Sequence, residues 1–493
     1  MTDDRSAEIS LCFVFQCFCQ ITHPTGITAQ INGATAISQK LTKWATKKYD
    51  KRREDETRQH TKSYHTNLFC PHNQKMHYLF CSMGVVVALS LLIQHRLKID
   101  GVSPIALSLP DLPEFPTTFK DITGKVETLG HDDLVGPECL VSTTYKRKQI
   151  LFLSLADGRI VRLAHNADGS VYWKTMVRTG SIPADDDTGI CVGDPHDSKN
   201  KESVCGRPLG MQLVHRSTVD PDYHDGRKDE DVLVVADAYG GLLMVDGIYE
   251  HNLSSSIHTL ATKANTDDVN YTFRLLNAVV HKDEALYITE TSRFMQRRRI
   301  FHAVFDGRPT GRLLKYTKNG GVQVLADKLF MPNGLSLSHD EKDLIIVSGV
   351  RILRFSLVAN KMYSKPFVNV MPGTGDNIES FRYSPSGKKI NCYWAGLGSR
   401  FAKPFSLLKF LSERLWLKSI ICGLVPYKTI VELVPKLSAL AVYGEDGELI
   451  EFYQDTNATA PWLSEGKVFG DYLYLGSWYN PFLARVKLED LKN

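Results

Sequence analysis

The fold of this chain is decided by Phe330-Met-Pro-Asn-Gly-Leu-Ser-Leu-Ser-His-Asp-Glu-Lys-Asp-Leu-Ile-Ile-Val-Ser348. This stretch predicts a polar loop followed by two strands. Leu335 and Leu337 alternate with serines, whereas Leu344–Val347 is a continuous apolar run, typical of a strand buried on both faces. A third strand is predicted at Arg351–Phe355, after a turn that contains glycine. The stretch therefore predicts a unit of three strands joined by short polar turns.

The same order of strand, polar turn and strand recurs along the chain. The other units contain Ile150–Ser154 with Gly158–Arg162, Val232–Ala236 with Gly241–Val245, Leu286–Thr289 with Gly311–Lys315, Ile390–Ala395, and Tyr472–Ser477 with Leu483–Lys487. Six units spaced by roughly 50 to 80 residues predict an all-β fold, a six-bladed β-propeller over residues 99–493. A large sandwich or two separate β domains would not explain a repeat with a constant internal order.

One segment, Pro404–Val425, interrupts the repeat. Its apolar residues recur at helical spacing with Lys and Arg between them, which predicts an inserted amphipathic helix packed over one face of the propeller. Such a helix can brace the blades as a lid. The alternative is a helix that faces a membrane or gates the entry of a substrate.

The first 75 residues differ in composition from the rest. Lys40–Lys75 carries ten Lys or Arg residues against four acidic ones, and the apolar patch Leu11–Cys19 is too short to span a membrane. We expect residues 1–75 to be disordered, because basic polar segments without hydrophobic periodicity do not bury a core. A second interpretation is that the native protein begins at Met76.

Residues 76–98 are predicted to form a transmembrane signal-anchor. Tyr78–Ile93 is sixteen residues long and carries no charge, close to the roughly 17–25 apolar residues that span a bilayer. A cleaved signal peptide and a buried core helix are the alternatives. Basic residues exceed acidic ones on the N-terminal side of this stretch, so the positive-inside rule predicts a single-pass type II membrane protein. The propeller would then be luminal in the endoplasmic reticulum or extracellular.

Sequons and cysteines agree with that compartment. N-glycosylation sequons begin at Asn252, Asn270 and Asn457. Cys191 and Cys205 bracket a polar loop that could not pack by itself. A disulfide closing this loop would contribute roughly 3 kcal/mol; the alternative is two free buried thiols.

The composition argues against other classes of partner. The ten cysteines include no Cys-x-x-Cys spacing, which argues against a zinc site. The chain is 43% hydrophobic and 23% charged with a formal net charge of +4, ordinary values for a folded protein with a sizeable core. Because the sequence has no basic stripe with interleaved aromatic residues and no RNP-like motif, we do not expect it to bind nucleic acid.

Four polar residues stand at comparable places near the starts of the strands that would line the propeller axis. They are Glu138, Asn277, Asn333 and Asp376. Asn333 follows a proline that fixes the chain and precedes a glycine that lets it turn. Two carboxylates and two carboxamide oxygens are the hard ligands that Ca²⁺ prefers. The alternative is that these groups only cap strand ends.

Several short motifs occur in a fixed order after the anchor. They are Val204-Cys-Gly-Arg-Pro-Leu-Gly210, Val235-Ala-Asp-Ala-Tyr239, Gly311-Arg-Leu-Leu314, Pro332-Asn-Gly334, Asp376-Asn-Ile378, Phe410-Leu-Ser-Glu-Arg414 and Leu473-Tyr-Leu-Gly-Ser477. In this combination the chain from about Gly136 to Leu488 resembles the strictosidine synthase-like family, in its branch of adipocyte plasma membrane-associated proteins. The resemblance implies a luminal six-bladed propeller on a type II anchor, related to the calcium-dependent paraoxonases and phosphotriesterases. It also implies arylesterase-like hydrolysis of a small ester or lactone.

The resemblance also assigns roles to residues of this chain. The family's axial calcium ligands fall on Glu138, Asn277, Asn333 and Asp376, and its loop disulfide falls on Cys191 and Cys205. Ca²⁺ would act as a Lewis acid on the substrate carbonyl. Asp376 is the candidate general base or nucleophile, because a ligand carboxylate facing the channel reaches both substrate and water. The alternative is a structural calcium that only ties the blades together.

The chain departs from the family pattern at several positions. Relatives commonly carry Asn-Asp where this chain has Asn277-Ala278, and Pro-Asp-Asn where it has Gly375-Asp-Asn377. No paraoxonase-type histidine base is found, since the nearby His196 lies inside the cysteine-bracketed loop. Ser464, with Glu465 adjacent, stands where true strictosidine synthases have the glutamate that condenses their substrates.

Three functions remain to be compared. The first is a membrane-anchored, calcium-dependent hydrolase of esters or lactones. The second is a non-catalytic propeller that binds a protein or lipid partner and uses calcium structurally. The third, Pictet–Spengler condensation, would require Glu465 to act on an imine, and Ser464, at the position of the synthases' glutamate, argues against it.

Overall fold

The computed structural model describes residues 71–492 except 167–169, 186–187, 198–199, 221–230, 250–254 and 385. The predictions for residues 1–70 and for the Asn252 sequon lie outside the described residues. The other two sequon asparagines, Asn270 and Asn457, are exposed.

The described strands form six sheets, which are the six blades of a β-propeller. The strands of each blade are given from the innermost to the outermost. Blade 1 contains Leu140–Tyr145, Lys148–Ser154, Arg159–His165 and Val171–Arg178, and blade 2 contains Pro208–His215, Asp231–Asp237, Gly241–Val245 and Ile257–Ala261. Blade 3 contains Leu276–Lys282, Ala285–Glu290, Gly311–Thr317 and Gly321–Leu329, and blade 4 contains Pro332–Leu337, Asp343–Ser348, Arg351–Ser356 and Lys361–Met362. Blade 5 contains Gly373–Tyr383, Lys389–Arg400, Ala439–Gly444 and Leu449–Gln454, and blade 6 contains Leu463–Phe469, Tyr472–Ser477 and Leu483–Lys487. The predicted six-bladed propeller is confirmed.

The N-terminal part of the propeller domain completes the last two blades. Glu127–Leu129 pairs antiparallel with Leu483–Lys487 and becomes the outermost strand of blade 6. Lys120–Asp121 pairs parallel with Leu449–Gln454 at the edge of blade 5. Residues from both ends of the domain are therefore needed to finish the sheets.

The core lies between the faces of neighbouring blades. All four residues of Leu344–Val347 are fully buried, as predicted for a strand covered on both faces. One apolar cluster joins blades 2 and 3 through residues such as Val232, Leu286 and Leu314. Stability therefore depends on each blade packing against the next.

A helix precedes the propeller, at Pro71–Asp100. It overlaps the predicted anchor at residues 76–98 but begins earlier, so its first residues are helical rather than part of the disordered segment predicted over residues 1–75. Within the part of the chain that the structure describes, no helix combines the length and the apolar character needed to cross a membrane.

The segment predicted as one amphipathic helix, Pro404–Val425, forms two short helices instead, at Leu407–Ser412 and Leu415–Leu424, and a third helix follows it at Tyr427–Glu432. The single helix was wrong because the chain leaves helical geometry at Arg414 (φ −98°, ψ 76°) and again before Pro426, which disfavours a helical residue ahead of it. A fourth helix, Ile300–Asp306, shares an apolar cluster with these three. We call these four helices the lid.

The remaining short elements lie in loops. They are a helix at Glu202–Cys205 and 3₁₀ helices at Arg216–Thr218, Arg297–Arg299 and Leu488–Leu491. Cys191 and Cys205 form a disulfide, so the loop between them is closed covalently.

Candidate functional site

The innermost strands share a local distortion that builds the site. In blades 2 to 6 the ladder between the first and second strands slips near the start of the innermost strand, leaving two residues of that strand in a bulge; the ladder of blade 5 slips at two further places. The first bulge residues are Leu209, Asn277, Asn333, Asp376 and Ser464. Glu138 stands at the matching place in blade 1, just before its innermost strand. Because a bulge re-aims the side chain of the extra residue, this repeat accounts for the convergence of these positions.

The structure brings all four predicted ligands together. Glu138, Asn277, Asn333 and Asp376 line one cavity of about 200 Å³, whose opposite wall is formed by lid residues. Glu138, Asn277 and Asp376 are buried, and Asn333 is half-buried. Leu209, the bulge residue of blade 2, also lines the cavity.

Hydroxyl groups on neighbouring strands fix the backbone of this ring. Thr289 donates a 2.6 Å hydrogen bond to the carbonyl of Asn333, and its oxygen accepts one from the amide of Ala278. Ser464 donates a 2.7 Å hydrogen bond to the carbonyl of Glu138. The bulges are therefore held across blade boundaries as well as within blades.

A glycine lets blades 4 and 5 approach closely beside the site. A Cβ added to Gly334 would lie 2.5 Å from Asn377 Cα and 2.6 Å from the carbonyl oxygen of Asp376. Gly334 does not form the turn expected for it, because it lies within the strand Pro332–Leu337 and its backbone is not left-handed. Because Gly334 has no side chain, the innermost strands of blades 4 and 5 can approach closely, which brings Asn333 next to Asp376.

Three oxygens in the cavity lack a hydrogen-bond donor. Asn277 Oδ1, Asn333 Oδ1 and Asp376 Oδ1 are buried and have no hydrogen-bond partner among the described residues. Buried polar atoms are nearly always paired, so three unpaired acceptors in one cavity indicate a missing partner, which is either a cation or an ordered water. Oxygen-only ligands suit a hard cation such as Ca²⁺, and the residues present fit this ion.

The described residues contain no cluster of three or more His, Cys, Asp or Glu side chains placed to hold a metal. Two of the four predicted ligands are carboxamides, so the site depends on the neutral oxygens of Asn277 and Asn333 as much as on its two carboxylates. No His or Cys, the usual ligands of softer metals, is found among the described residues that line the cavity.

The carboxylates of Asp376 and Glu138 influence one another. Burial raises the pKa of Asp376 to about 8, and the negative charge of Glu138 acts in the same direction. The hydrogen bond with Asn333 and the guanidinium groups of Arg297 and Arg207 act in the opposite direction. A cation bound between the two carboxylates would relieve their repulsion.

Two buried arginines stand beside the acidic pair. Arg207 is fully buried, and its Nη2 lies 3.0 Å from Glu138 Oε2. Arg297 lines the cavity, and its Nη1 lies 2.9 Å from Glu202 Oε1. Sequence reasoning missed both, although Arg207 belongs to a quoted motif; Arg297 begins a run of three arginines that looks like a solvated surface.

The wall around these polar groups is largely apolar and aromatic. Trp462 and Trp478 line the cavity with their rings stacked, their centroids 5.3 Å apart. Phe301 and Leu407 contribute from the lid, and Phe330 from the loop before blade 4. A bound molecule would therefore meet the oxygen ligands together with a mostly apolar wall.

Neither His196 nor Glu465 is among the described residues that line the cavity. His196 packs against Tyr479 instead, with ring centroids 6.1 Å apart. Glu465 accepts a hydrogen bond from the amide of Leu140, and burial raises its pKa. The described lining thus lacks both the histidine of a paraoxonase-type base and the glutamate that condensation would require.

Comparison with known proteins identifies related chains. A family model described as strictosidine synthase matches residues 277–357, which include Asn277 and Asn333. The adipocyte plasma membrane-associated protein of Gallus gallus is 33% identical over 393 residues, covering 78% of this chain and 83% of the relative. That of Homo sapiens is 31% identical over 419 residues, covering 83% and 89%. Protein STRICTOSIDINE SYNTHASE-LIKE 2 of Arabidopsis thaliana is 27% identical over 427 residues, covering 83% and 97%.

Solved structures also resemble this chain. A gluconolactonase from Xanthomonas campestris has a TM-score of 0.42 and 15% identity, covering 78% of this chain and 98% of the other. A calcium-binding protein from Agrobacterium tumefaciens, regucalcin, has a TM-score of 0.39 and 13% identity, covering 77% and 95%.

Proposed function

The chain belongs to the strictosidine synthase-like family, in the branch of the adipocyte plasma membrane-associated proteins, and we propose that it is a calcium-dependent hydrolase of esters or lactones. The observation that carries the proposal is the set of three unpaired buried oxygens, on Asn277, Asn333 and Asp376, in one cavity with the carboxylate of Glu138. This set suits Ca²⁺, and the apolar wall opposite suits an uncharged substrate.

We assign a role in binding or catalysis to each residue of the site. Glu138, Asn277, Asn333 and Asp376 hold the ion, which when bound acts as a Lewis acid on the substrate carbonyl. Asp376 is the proposed general base or nucleophile, since its carboxylate lines the cavity where a substrate would lie. Trp462 and Trp478 exclude water and orient the apolar part of the substrate.

The test is hydrolysis of phenyl acetate by the purified full chain, measured with Ca²⁺, with a chelator and as the Asp376→Ala variant. The proposal predicts turnover that is lost in both the chelated sample and the variant. Asp340→Ala, which removes a half-exposed carboxylate in the turn between two strands of blade 4, is the matched control and should retain activity. Activity that survives the chelator and Asp376→Ala would overturn the proposal.

A second candidate function is a non-catalytic propeller that binds a protein or lipid partner, with calcium in a structural role. The observation that favours it is the buried pairing of Glu138 with Arg207, with Arg297 beside them. These guanidinium groups already neutralise part of the acidic site, and no histidine is found among the described residues that line the cavity. Calcium-dependent thermal stability without any turnover would support this function.

We also propose that the chain is associated with a membrane through residues 76–98, as a single-pass type II protein with its propeller luminal or extracellular. Two observations support this: the name of its relatives, and the exposure of apolar side chains along Val85–Leu92. Glycosylation at the exposed Asn270 and Asn457 would fit the same topology. A mobility shift on treatment with an endoglycosidase, lost when Asn252, Asn270 and Asn457 are all replaced by Gln, would test it.

A further inference from the structure

Three consecutive arginines, Arg297, Arg298 and Arg299, form a 3₁₀ helix immediately before one helix of the lid. Because a 3₁₀ helix has about three residues per turn, their side chains leave it in three directions. Arg299 forms a 3.0 Å ion pair with Asp100, whereas Arg298 donates a hydrogen bond to Gln296. Of the three, Arg297 lines the cavity, and it is 6% exposed. The run therefore places one buried cation at the candidate site.

The guanidinium group of Arg297 is anchored at one of its nitrogens. Nη1 donates a 2.9 Å hydrogen bond to Glu202 Oε1 and a 3.2 Å hydrogen bond to the carbonyl of Pro195. Both acceptors lie in the loop that the disulfide closes. The other carboxylate oxygen of Glu202 accepts a 2.8 Å hydrogen bond from the hydroxyl of Tyr239. The anchor is therefore itself held in place.

The other two nitrogens of this group remain available. Nε and Nη2 of Arg297 have no hydrogen-bond partner among the described residues. Burial would lower the pKa of Arg297, but the charges of Glu202 and Glu138 outweigh this effect, so the pKa is raised and the residue stays charged. Nε and Nη2 form one edge of a guanidinium group, and this edge can donate two parallel hydrogen bonds to a carboxylate.

The charges of the cavity lining also leave room for an anion. The charged residues in the described lining are two acids and two bases, namely Glu138, Asp376, Arg297 and Arg400, so their charges balance. Arg207 and Glu202, the buried ion-pair partners of Glu138 and Arg297, balance each other as well. A divalent cation held by the four ligands would make this set net positive. A negatively charged group would restore the balance, whereas a neutral ester would not.

We propose that Nε and Nη2 of Arg297 form a carboxylate subsite of the cavity, which holds the oxyanion formed during hydrolysis and then the carboxylate of the acid product. The subsite stands on the geometry and charge of Arg297, and its part in catalysis rests on the proposed hydrolase function. Trp462 and Trp478, stacked in the wall of the same cavity, suit a small aromatic acid. Glu202 is then a positioning residue, because it acts on the bound molecule through Arg297.

The proposed step needs no reactant besides the ester and water. The water oxygen bonds to the carbonyl carbon, one water proton passes to Asp376, and the electron pair of the C=O bond moves onto the oxygen beside Arg297. When the carbonyl forms again, the bond to the leaving oxygen breaks and that oxygen takes the proton from Asp376. The acid product loses its own proton to solvent and stays paired with Arg297 as a carboxylate. Because the neutral ester lacks this negative charge, Arg297 stabilises the transition state more than the bound substrate.

The subsite is tested without turnover by calorimetric titration of the full chain with benzoate at saturating Ca²⁺. Benzamide, which has a similar shape and no charge, is the control ligand, and we expect the wild type to prefer benzoate. Glu202→Gln preserves the shape of the anchor but removes a negative charge beside Arg297, so benzoate should bind several-fold more tightly. A merely structural part for Glu202 would instead make binding weaker.

The double variant Glu202→Gln, Arg297→Met removes the guanidinium group without leaving the charge of Glu202 unpaired. Relative to Glu202→Gln alone, it should bind benzoate at least about tenfold more weakly, because charge-assisted hydrogen bonds are lost. Arg298→Met is the matched control and should bind like the wild type, since Arg298 is not among the described residues that line the cavity.

Circular dichroism checks that the variants fold; if the double variant does not, the direction of the change in Glu202→Gln decides. Equal benzoate affinity in Glu202→Gln and the double variant would overturn the subsite. Weaker binding in Glu202→Gln than in the wild type would also overturn it, as would a wild type that binds benzamide equally well.

Hydrolysis of phenyl acetate tests the part of Arg297 in catalysis. Relative to Glu202→Gln, the double variant should lose about 100-fold in kcat, as expected for the loss of one oxyanion donor. The KM should change far less, because the ester is neutral. An altered KM with an unchanged kcat would overturn this part. If the wild type does not hydrolyse the ester, the hydrolase function fails, while the benzoate titration still decides the subsite.

Discussion

At the scale of single residues, the site consists of one bulge position repeated around the propeller. The four predicted ligands are the polar members of this ring that line the cavity, in blades 1, 3, 4 and 5. In blades 5 and 6 the next residue of the bulge contacts blade 1: Asn377 donates to the carbonyl of Glu138, and Glu465 accepts from the amide of Leu140. Replacing a bulge residue therefore changes the cavity, and replacing its successor changes the contact between blades.

The first prediction concerns Gly334→Ala. Its added methyl group would meet backbone atoms of Asn377 and Ile378 at 2.5 Å, so blades 4 and 5 must separate. We expect a loss of about 1–3 kcal/mol in the free energy of unfolding, the usual range for an overpacked site, and weaker Ca²⁺ binding. Urea denaturation and calorimetric titration measure the two. Gly320→Ala is the control, because its methyl group meets only the Thr317 hydroxyl; equal behaviour of the two variants would contradict the account.

The second prediction concerns Arg207→Met, which removes the buried partner of Glu138. Breaking a buried ion pair from one side leaves an uncompensated charge and costs about 3–5 kcal/mol. Bound Ca²⁺ would replace the lost positive charge, so we expect this variant to gain more thermal stability from calcium than the wild type gains. Arg354→Met breaks a pair with Asp343 in blade 4 that is partly exposed, and serves as the control. A calcium shift no larger than that of the wild type would contradict Glu138 as a ligand.

At the scale of elements, the lid forms part of the cavity wall and so determines which side chains a bound molecule contacts. Its helices are short, and they are held by apolar packing that includes Ala303, Leu417 and Ile430. His302 lies inside this packing, 2% exposed, and its two ring nitrogens have no hydrogen-bond partner among the described residues. The lid therefore contains a buried group that resists protonation.

A pH prediction follows from His302. Burial lowers its pKa from 6.5 to about 4, and the nearby Arg299 acts in the same direction. Between these values the unfolded chain binds a proton that the folded chain does not, so stability is fully present above the unfolded pKa and falls as the pH decreases. From about pH 7.5 to about pH 4.5 the wild type should lose about 2.5 kcal/mol through this group.

The measurement compares urea denaturation at the two pH values. His302→Leu should lose less stability on acidification than the wild type, while His281→Leu, in an exposed hairpin, should behave like the wild type. The same acid loss in His302→Leu and the wild type would show that the lid does not hold this histidine neutral.

Sequence patterns predict some elements correctly and fail to predict others, in each case for a physical reason. Strands such as Leu344–Val347 are buried on both faces, and their unbroken apolar runs are readable from the sequence. The innermost strands cannot be recognised in this way, because a bulge at residues such as Asn277-Ala278 shifts the alternation of side chains. The segment Pro404–Val425 was predicted as one helix because apolar spacing continues through Arg414, where only the backbone angles reveal the break.

The candidate site could be predicted in part. A polar residue before each apolar strand is a local signal, and the family resemblance led to the same four ligands. The partners of those residues are distant in sequence: Arg207 is 69 residues from Glu138, and Thr289 is 44 residues from Asn333. Pairs of this kind arise when blades pack together, so a pattern within one strand carries no trace of them.

At the scale of the whole propeller, the N-terminal strands complete blades 5 and 6. Ile122, next to the edge strand Lys120–Asp121, is 2% exposed, and Glu127 accepts a 2.9 Å hydrogen bond from Arg485. Without these strands the two blades would present open edges that pair with other chains. The site lies on the axis between blades, so its geometry depends on this closure.

A truncation tests the closure. A chain that begins after residue 130 should unfold at a lower temperature than one that begins at Gly101 and should aggregate. The expected loss is at least about 2 kcal/mol, since removing one buried Ile side chain alone costs about that much. Differential scanning calorimetry measures it. Identical unfolding of the two chains would show that the strands add nothing to the propeller.

Luminescence of Tb³⁺ sensitised by tryptophan tests directly whether the four oxygen ligands on the propeller axis bind Ca²⁺. Tb³⁺ substitutes for Ca²⁺ at oxygen sites, and Trp462 and Trp478 line the same cavity as the four ligands. We expect a signal that Ca²⁺ displaces and that disappears in Asp376→Ala. A signal that persists in this variant, or no signal that Ca²⁺ displaces, would contradict it.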